Sequence, residues 1–407
     1  MGCGLWWSYR FYWFAAGIQT RSLINDTVKI YDNIEDLINN NIADAYIIAT
    51  PNFTHIDILE RILKTNKHLL IEKPLCTTTE DCKKFELLSK NYSKIIWTGM
   101  EYRYMPPVKQ FIDEVYNNAI GKIKMLSIRE HRFPFLNKVN DWNRFTINTG
   151  GTLVEKCCHF FDLMRLVIQS EPVKVYASGN QAVNHLMEKY DGKTPDIIDN
   201  AFVIVDFENG VRGLLDLCMF AENSDYQEEI VAVGDIGKIE TFVPSHASGK
   251  DSSEVRVALR KDNVIKSNLV TVDKQILAAG HHHGATYFEH LAFINAIHNN
   301  TAPEVSLKDG RRVKLEIASL GDQPGQLIMI TDLTATRLLQ DKVGQMQRLS
   351  SLGRMVSTLA HQIRTPLSAA MLYSANLSNI KLLYSYEALI KDERDRKIVK
   401  KIRRLIK

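Results

Sequence analysis

The stretch ADAYIIATPNFTHIDILERILKTNKHLLIEKP, residues 43–74, decides the fold. It contains two short apolar runs, Ala45 to Ile48 and Leu69 to Ile71. Neither alternates, and each is too short for a helix, which suits strands buried on both faces. Between them Ile56, Leu59, Ile62 and Leu63 fall at helical spacing. A strand, a helix and a second strand in so short a span make a βαβ unit with parallel strands. Working outward, NIEDLINNN (33–41) reads as a helix before this unit. DCKKFELLSKNY (81–92) and KIIWTGM (94–100) read as a helix and a strand after it. The predicted class is α/β, built on a parallel sheet.

In such sheets ligands collect at the carboxyl ends of strands. One strand here runs into Thr50, Pro51, Asn52 and His55, the other into Glu72 and Lys73. Lys73 alone reads as a surface lysine. The two strand ends together favour a ligand crevice.

A later stretch, GGTLVEKCCHFFDLM (150–164), crowds Glu155, Cys157, Cys158, His159 and Asp162 into eight positions. Glu155 and His159 are four apart, which predicts one shared helix face. A zinc site from Cys157, Cys158 and His159 is rejected, because a helix points adjacent side chains in different directions. No metal is expected. The six cysteines contain no C-x-x-C, and neighbouring cysteines fit disulfide geometry poorly. They read as reduced, buried small side chains of a cytoplasmic protein.

These motifs resemble the Gfo/Idh/MocA family of NAD(P)-dependent oxidoreductases. The resemblance rests on IATPNFTH with HLLIEKPL, on EYRYMPPVKQFIDEV, and on GGTLVEKCCHFFDLMRLV, and it spans roughly Val28 to Gly310. It implies a Rossmann domain followed by a second α/β domain with an open sheet. It also implies NAD or NADP as cofactor, a sugar or polyol alcohol as substrate, and a homo-oligomer. By the same resemblance Lys73, Glu155 and His159 surround the carbon that exchanges hydride, with Glu in the place of the family's usual Asp. Thr50, Pro51, Asn52, His55, Glu72 and Lys73 border the cofactor. Arg103, Trp142 and Arg144 border the substrate.

The chemistry suits those residues. Alcohol oxidation needs a base for the hydroxyl proton, and histidine, with an ordinary pKa near ~6.5, provides one. Lys73 can polarise the developing alkoxide and would titrate low if desolvated. Glu155 would orient and charge-tune both. Three histidines in GHHHGATYFEH (280–290) read as a loop entering the rim of the site rather than a metal-binding cluster.

The start of the chain fits the family poorly. The nearest thing to G-x-G-x-x-G is GCGLWW, with Gly2 and Gly4 in place, Trp7 at the third position, and no strand signal before it. The segment from Gly4 to Asn33 is too short for the usual helix, strand and turn, so the Rossmann domain reads as truncated.

Beyond Gly310 the pattern changes. RRVKLEIASLGDQPGQLIMITDLTATRLLQ (311–340) alternates like two strands about a QPGQ turn. Leu339, Val343, Met346, Leu349, Leu352, Val356, Leu359 and Ile363 then step by three or four like a coiled-coil seam. LAHQIRTPLSAA resembles the H-box of sensor histidine kinases of the flagellar-regulator type, and the strands before it resemble the end of a PAS domain. That resemblance makes His361 the phosphoacceptor and implies a response regulator or a trans-acting kinase as partner. Pro366 would bend the helix. No glycine follows Leu377, so glycine-rich ATP-binding boxes are absent from this sequence.

The expected organisation is a truncated nucleotide domain (1–120), a substrate and oligomerisation domain (121–310), PAS-like strands (311–335) and phosphoacceptor-like helices (336–407). The chain reads as a genuine fusion or as an artefact of gene prediction or assembly. The breaks inside both domains favour the second.

Bulk properties agree with a globular protein. The 407 residues are 45% hydrophobic and 24% charged, with a net charge of +4. Ten Lys/Arg against four Asp/Glu between Lys381 and Lys407 give that segment +6, leaving −2 on the rest. Neither a nucleic-acid nor a membrane partner is expected. The apolar N-terminal segment is interrupted by Arg10 and lacks signal-peptide features.

Overall fold

The computed structural model describes residues 11–13, 31, 33–41, 43–250, 252–278, 282–306, 315–319 and 326–330. Four parallel strands form a sheet in chain order: β1 (Phe11–Trp13), β2 (Ala45–Ile48), β3 (His68–Glu72) and β4 (Ile96–Gly99). β1 falls within the apolar N-terminal segment, for which no strand is predicted, and pairs with β2 through Phe11 opposite Ala45. Helices α1 (Ile34–Asn39), α2 (His55–Ile62) and α3 (Thr79–Ser89) connect the strands. Two of them start on side-chain caps. Asn33 accepts from the Asp36 amide at 2.8 Å and Thr78 from the Asp81 amide at 3.1 Å, each satisfying a first-turn N–H that has no partner in the helix.

The chain then builds α4 (Pro106–Tyr116), β5 (Ile123–His131), α5 (Thr146–Thr149), α6 (Thr152–Glu155) and α7 (Cys158–Ile168). Next come β6 (Pro172–Asn180), β7 (Asn200–Phe207), β8 (Arg212–Cys218), β9 (Tyr226–Gly234) and β10 (Gly237–Pro244). Last are β11 (Ser252–Leu259), β12 (Ile265–Thr271), α8 (Lys274–Ala278), α9 (Ala285–Asn299), β13 (Leu315–Ser319) and β14 (Gln326–Ile330). The second sheet runs β12-β11-β10-β9-β5-β8-β7-β6-β14-β13, and only its β5–β8 pair is parallel.

Burial explains both layers. In β3, Leu69 and Ile71 face the core made with Leu59, Ile62 and Phe85. Leu70 points the opposite way, with Trp97, onto Phe293 and Ala296 of α9. Helix α9 thus returns to cover the other face of the parallel sheet, which is why the central residues of β3, Leu69 to Ile71, are all apolar. Among the described residues, helices cover only one face of the large sheet. Val205 and Phe207 of β7 lie beside Phe161 and Met164 of α7, and the buried Ala201 and Val203 share one core with Val108, Phe111 and Ile112 of α4, which packs on β10 to β12. Cross-strand partners share a face, so Tyr176, Phe202, Ile204, Met125 and Val233 all lie on the opposite, open face, where each is exposed. Among the described residues no helix is long and apolar enough to cross a membrane.

Candidate active site

The two strand ends and the GGTLVEKCCHFFDLM segment meet. After β2 the chain turns through a short 3-10 segment, Asn52–Thr54, stabilised by the Thr54 hydroxyl donating to Thr50 Oγ1 at 2.7 Å. The buried His55 ring then ties this loop to the β3 loop, with Nε2 3.0 Å from the Thr50 carbonyl and Nδ1 3.1 Å from that of Pro74. Its nitrogens are therefore occupied by backbone. Asn52 is buried, and its amide donates to the Glu155 carboxylate. Lys73 Nζ donates to the Glu155 carbonyl at 2.8 Å.

That last contact depends on a feature the sequence hides. Glu155 and His159 do not lie on one helix. The chain breaks at Lys156 and Cys157, so Glu155 ends α6 and His159 sits in the first turn of α7. The Cys157 amide reaches back to the Thr152 carbonyl at 3.4 Å, one residue beyond normal helical pairing. Carbonyls at a helix end lack intrahelical partners, and Lys73 takes the one at Glu155. The Glu155 carboxylate turns to Asn52 and the His159 ring lies on Tyr102, while Lys73 bears on both residues.

Electrostatics sharpen the roles. Burial pulls the Lys73 ammonium down, but Glu155, Cys158, Glu101 and Glu72 outweigh it, and the net shift is upward. Lys73 is thus a firm cation, contrary to the low titration expected from desolvation alone. His159 is 1% exposed, and its Nδ1 has no hydrogen-bond partner among the described residues. Burial, with Lys73 and Lys156 nearby, holds its pKa well below the usual histidine range. Burial and the neighbouring Glu101 push Glu72 up to about 7. Burial also raises both thiols, Cys158 to about 11, leaving them poor thiolates.

The other expected residues make contacts of their own, apart from Lys73, Glu155 and His159. Trp142 lies edge-on to Phe53, ring centroids 6.0 Å apart, at the mouth of the Asn52 loop. Arg144 is buried and directs its guanidinium to Asn137 Oδ1 at 2.6 Å and toward Glu188 at 3.4 Å. Arg103 is also buried. It forms a two-pronged pair with Asp162, Nε to Oδ2 at 2.6 Å and Nη2 to Oδ1 at 2.5 Å, and donates to the Glu304 carbonyl at 3.2 Å. Gly2, Gly4 and His361 lie outside the described residues.

Sequence reasoning missed a buried polar group beneath His159. Lys156 Nζ lies 3.0 Å from Glu130 Oε1 and donates to the Tyr102 hydroxyl, which donates to Glu228 Oε1 at 2.9 Å. Tyr102 stacks flat on His159, centroids 4.2 Å apart and planes 8° from parallel. His282, from the triple-histidine stretch, approaches the same tyrosine ring at 5.4 Å and Glu101 at 3.5 Å. The EYRY and KCC residues carry no local pattern that separates these positions from an ordinary surface.

Comparison with known proteins places the chain. Residues 112–318 match the family described as "Oxidoreductase family, C-terminal alpha/beta domain", and residues 21–100 match "Oxidoreductase family, NAD-binding Rossmann fold". Residues 351–407 match "His Kinase A (phospho-acceptor) domain". The chain is 27% identical over 297 residues to myo-inositol 2-dehydrogenase of Thermotoga maritima, covering 70% of this chain and 79% of that protein. It is 52% identical over 95 residues to the sensor protein kinase FleS of Pseudomonas aeruginosa, covering 23% of this chain and 24% of the kinase. The chain therefore spans about a quarter of that kinase's length. In fold it resembles levoglucosan dehydrogenase, solved in complex with NADH and levoglucosan, with a TM-score of 0.58 and 21% identity over 70% of this chain and 78% of that one.

Proposed function

Because the chain belongs to the Gfo/Idh/MocA oxidoreductase family, we propose that it transfers hydride between a nicotinamide dinucleotide and a secondary alcohol of a sugar or polyol. The observation that supports this reading is that Lys73, at the carboxyl end of β3, donates to the Glu155 carbonyl and lies near enough to His159 to act on its charge. The strand-end residues fit the nicotinamide end of such a cofactor: Asn52 is buried and oriented by Glu155, and Lys73 is charged and fixed by a backbone carbonyl. Thr50, Pro51, Asn52, Glu72 and Lys73 would border it. When bound, the dinucleotide supplies the hydride acceptor for oxidation and the donor for reduction.

The protein's own groups handle the proton and the charge. In the oxidative direction the alcohol becomes a carbonyl, its C–H hydrogen leaves as hydride, and its O–H proton passes to an imidazole nitrogen of His159. The depressed pKa keeps His159 neutral and so able to take that proton, as a weaker base than an ordinary imidazole. Lys73, a cation held 2.8 Å from the Glu155 carbonyl, stabilises the negative charge that builds on the substrate oxygen. Glu155 fixes Asn52 through its carboxylate and Lys73 through its carbonyl, so one residue sets both strand-end loops. His55 holds the same loops from behind, a positioning role rather than a cofactor contact. The test is reduction of NAD and NADP by the purified chain against a panel of polyols and aldoses, with Lys73→Ala as control.

The open face of the large sheet supports a homo-oligomer. Tyr176, Phe202, Ile204, Met125 and Val233 would leave water when a second copy stacks there.

A second reading applies to residues 351–407. Their match to the phosphoacceptor family supports His361 as a site of phosphorylation by a separate kinase, with transfer to a response regulator. Acid-labile, base-stable phosphate on the full chain, lost in His361→Gln, would support it.

A further inference from the structure

Metal-free general bases are commonly oriented by a hydrogen bond to their second ring nitrogen. Among the described residues His159 has no such bond: its buried Nδ1 meets no hydrogen-bonding group there. Its ring lies instead against Tyr102, 4.2 Å away and nearly parallel, while Phe160 meets the same tyrosine edge-on at 5.6 Å. Tyr102 is itself pinned at its hydroxyl. It accepts from Lys156 Nζ and donates to Glu228 at 2.9 Å, and Gln227 holds that carboxylate at 2.6 Å. Lys156 is anchored in turn by Glu130 at 3.0 Å, and Arg132 reaches Glu130 at 3.4 Å. All of these side chains but that of Arg132 are buried to more than nine-tenths.

These groups come from different parts of the fold. Lys156 occupies the break between α6 and α7, Glu130 belongs to β5, Gln227 and Glu228 to β9, and Tyr102 to the 3-10 turn after β4. Nothing in the α6–α7 break requires a charged residue at 156. A buried lysine costs free energy unless it is paired, and here the pairing fixes the plane of one aromatic ring.

We propose that Tyr102, clamped by Lys156 and Glu228, is the positioning residue for His159, replacing the missing hydrogen bond with a stacking surface. The inference rests on the reading of His159 as the base. It adds that the imidazole's plane is set from below by a tyrosine whose tilt three strand and helix segments determine. The charged groups around His159 are Lys73 from the β3 end, Lys156 from the helix break, Arg132 after β5 and His282 before α9. None of them supplies a hydrogen bond to Nδ1.

The test uses the full chain labelled with carbon-13 in its histidine rings, together with steady-state kinetics. The variants are Tyr102→Leu, Tyr102→Phe and the double change Lys156→Met with Glu130→Gln. A ring stacked on a tyrosine face gives shifted imidazole C–H signals. Tyr102→Leu should remove that shift, and turnover should fall on the order of 10²-fold with little change in KM, as for a misplaced catalytic group. Tyr102→Phe keeps the stacking face but loses the hydroxyl that Lys156 and Glu228 hold, so both it and the double variant should broaden or move the signal, with a smaller loss of turnover than Tyr102→Leu. If Tyr102→Leu fails to fold, the other two variants report the same signals. Unchanged His159 signals in every folded variant would overturn the proposal. The signals need no turnover, so a catalytically silent wild-type chain that still shows the stacked shift would defeat the dehydrogenase reading and leave the positioning geometry standing.

Discussion

Replacing Arg103 with methionine should destabilise the protein while leaving substrate affinity untouched. The side chains of Arg103 and Asp162 are only 10% and 2% exposed, and two short contacts join them. Removing one member of a buried pair strands the other charge and costs roughly 3–5 kcal/mol. In a cooperative unit of roughly 150–250 residues about 3 kcal/mol lowers Tm by roughly 6–12 °C, and by less in a larger one. The double variant Arg103→Met with Asp162→Leu removes both charges, and it should recover about half of that loss, because an apolar pair of similar volume is tolerated where a lone charge is not. Thermal melts and urea titrations of the two single variants and the double variant measure the coupling directly. An Arg103→Met variant that melts within about 2 °C of wild type but raises KM for the polyol would refute the clamp and make Arg103 a substrate contact.

Other outcomes follow from the same geometry. Glu72 keeps its proton up to about 7 in the folded state, against an ordinary value of 4.5, so it subtracts stability progressively as pH rises between those values. Glu72→Gln should therefore melt higher than wild type at pH 8, with the gain vanishing near pH 4, and an equal gain at both pH values would be inconsistent with this. The pKa of His159 is depressed, so kcat/KM should show no acid limb due to this group above its ordinary ~6.5. A limb centred above 7 that disappears in His159→Gln would contradict the assignment. Phe202, 61% exposed on the open sheet face, should change to Asp without loss of fold while weakening self-association by about 10-fold or more in sedimentation experiments.

Much of the parallel sheet was legible because its strands are buried on both faces and therefore read as unbroken apolar runs. Leu69, Leu70 and Ile71 alternate between two different cores, and no polar residue interrupts them. The strand-end residues were legible for the same reason, since Asn52 and Lys73 stand directly after such runs. The break at Lys156 and Cys157 was not, because GTLVEKCCHFFDLM keeps a helical apolar pattern straight through it. Lys156 itself looks like any exposed helix lysine. Its partners Glu130 and Glu228 sit on strands far away in the chain, and only the fold brings them together. Arg103 was placed near the substrate by resemblance. Its fork with Asp162 joins residues 59 positions apart, and no local pattern announces it.

The central claim is that Lys73, Glu155 and His159 form a working hydride-transfer site. The most direct measurement is the rate of cofactor reduction by the wild-type chain with myo-inositol and related polyols, beside Lys73→Ala and His159→Ala. The account predicts saturable turnover in the wild type and a loss of at least about 10²-fold in each variant, with both still folded. Turnover that survives either substitution would contradict it, as would a folded wild-type chain that reduces neither NAD nor NADP with any polyol or aldose.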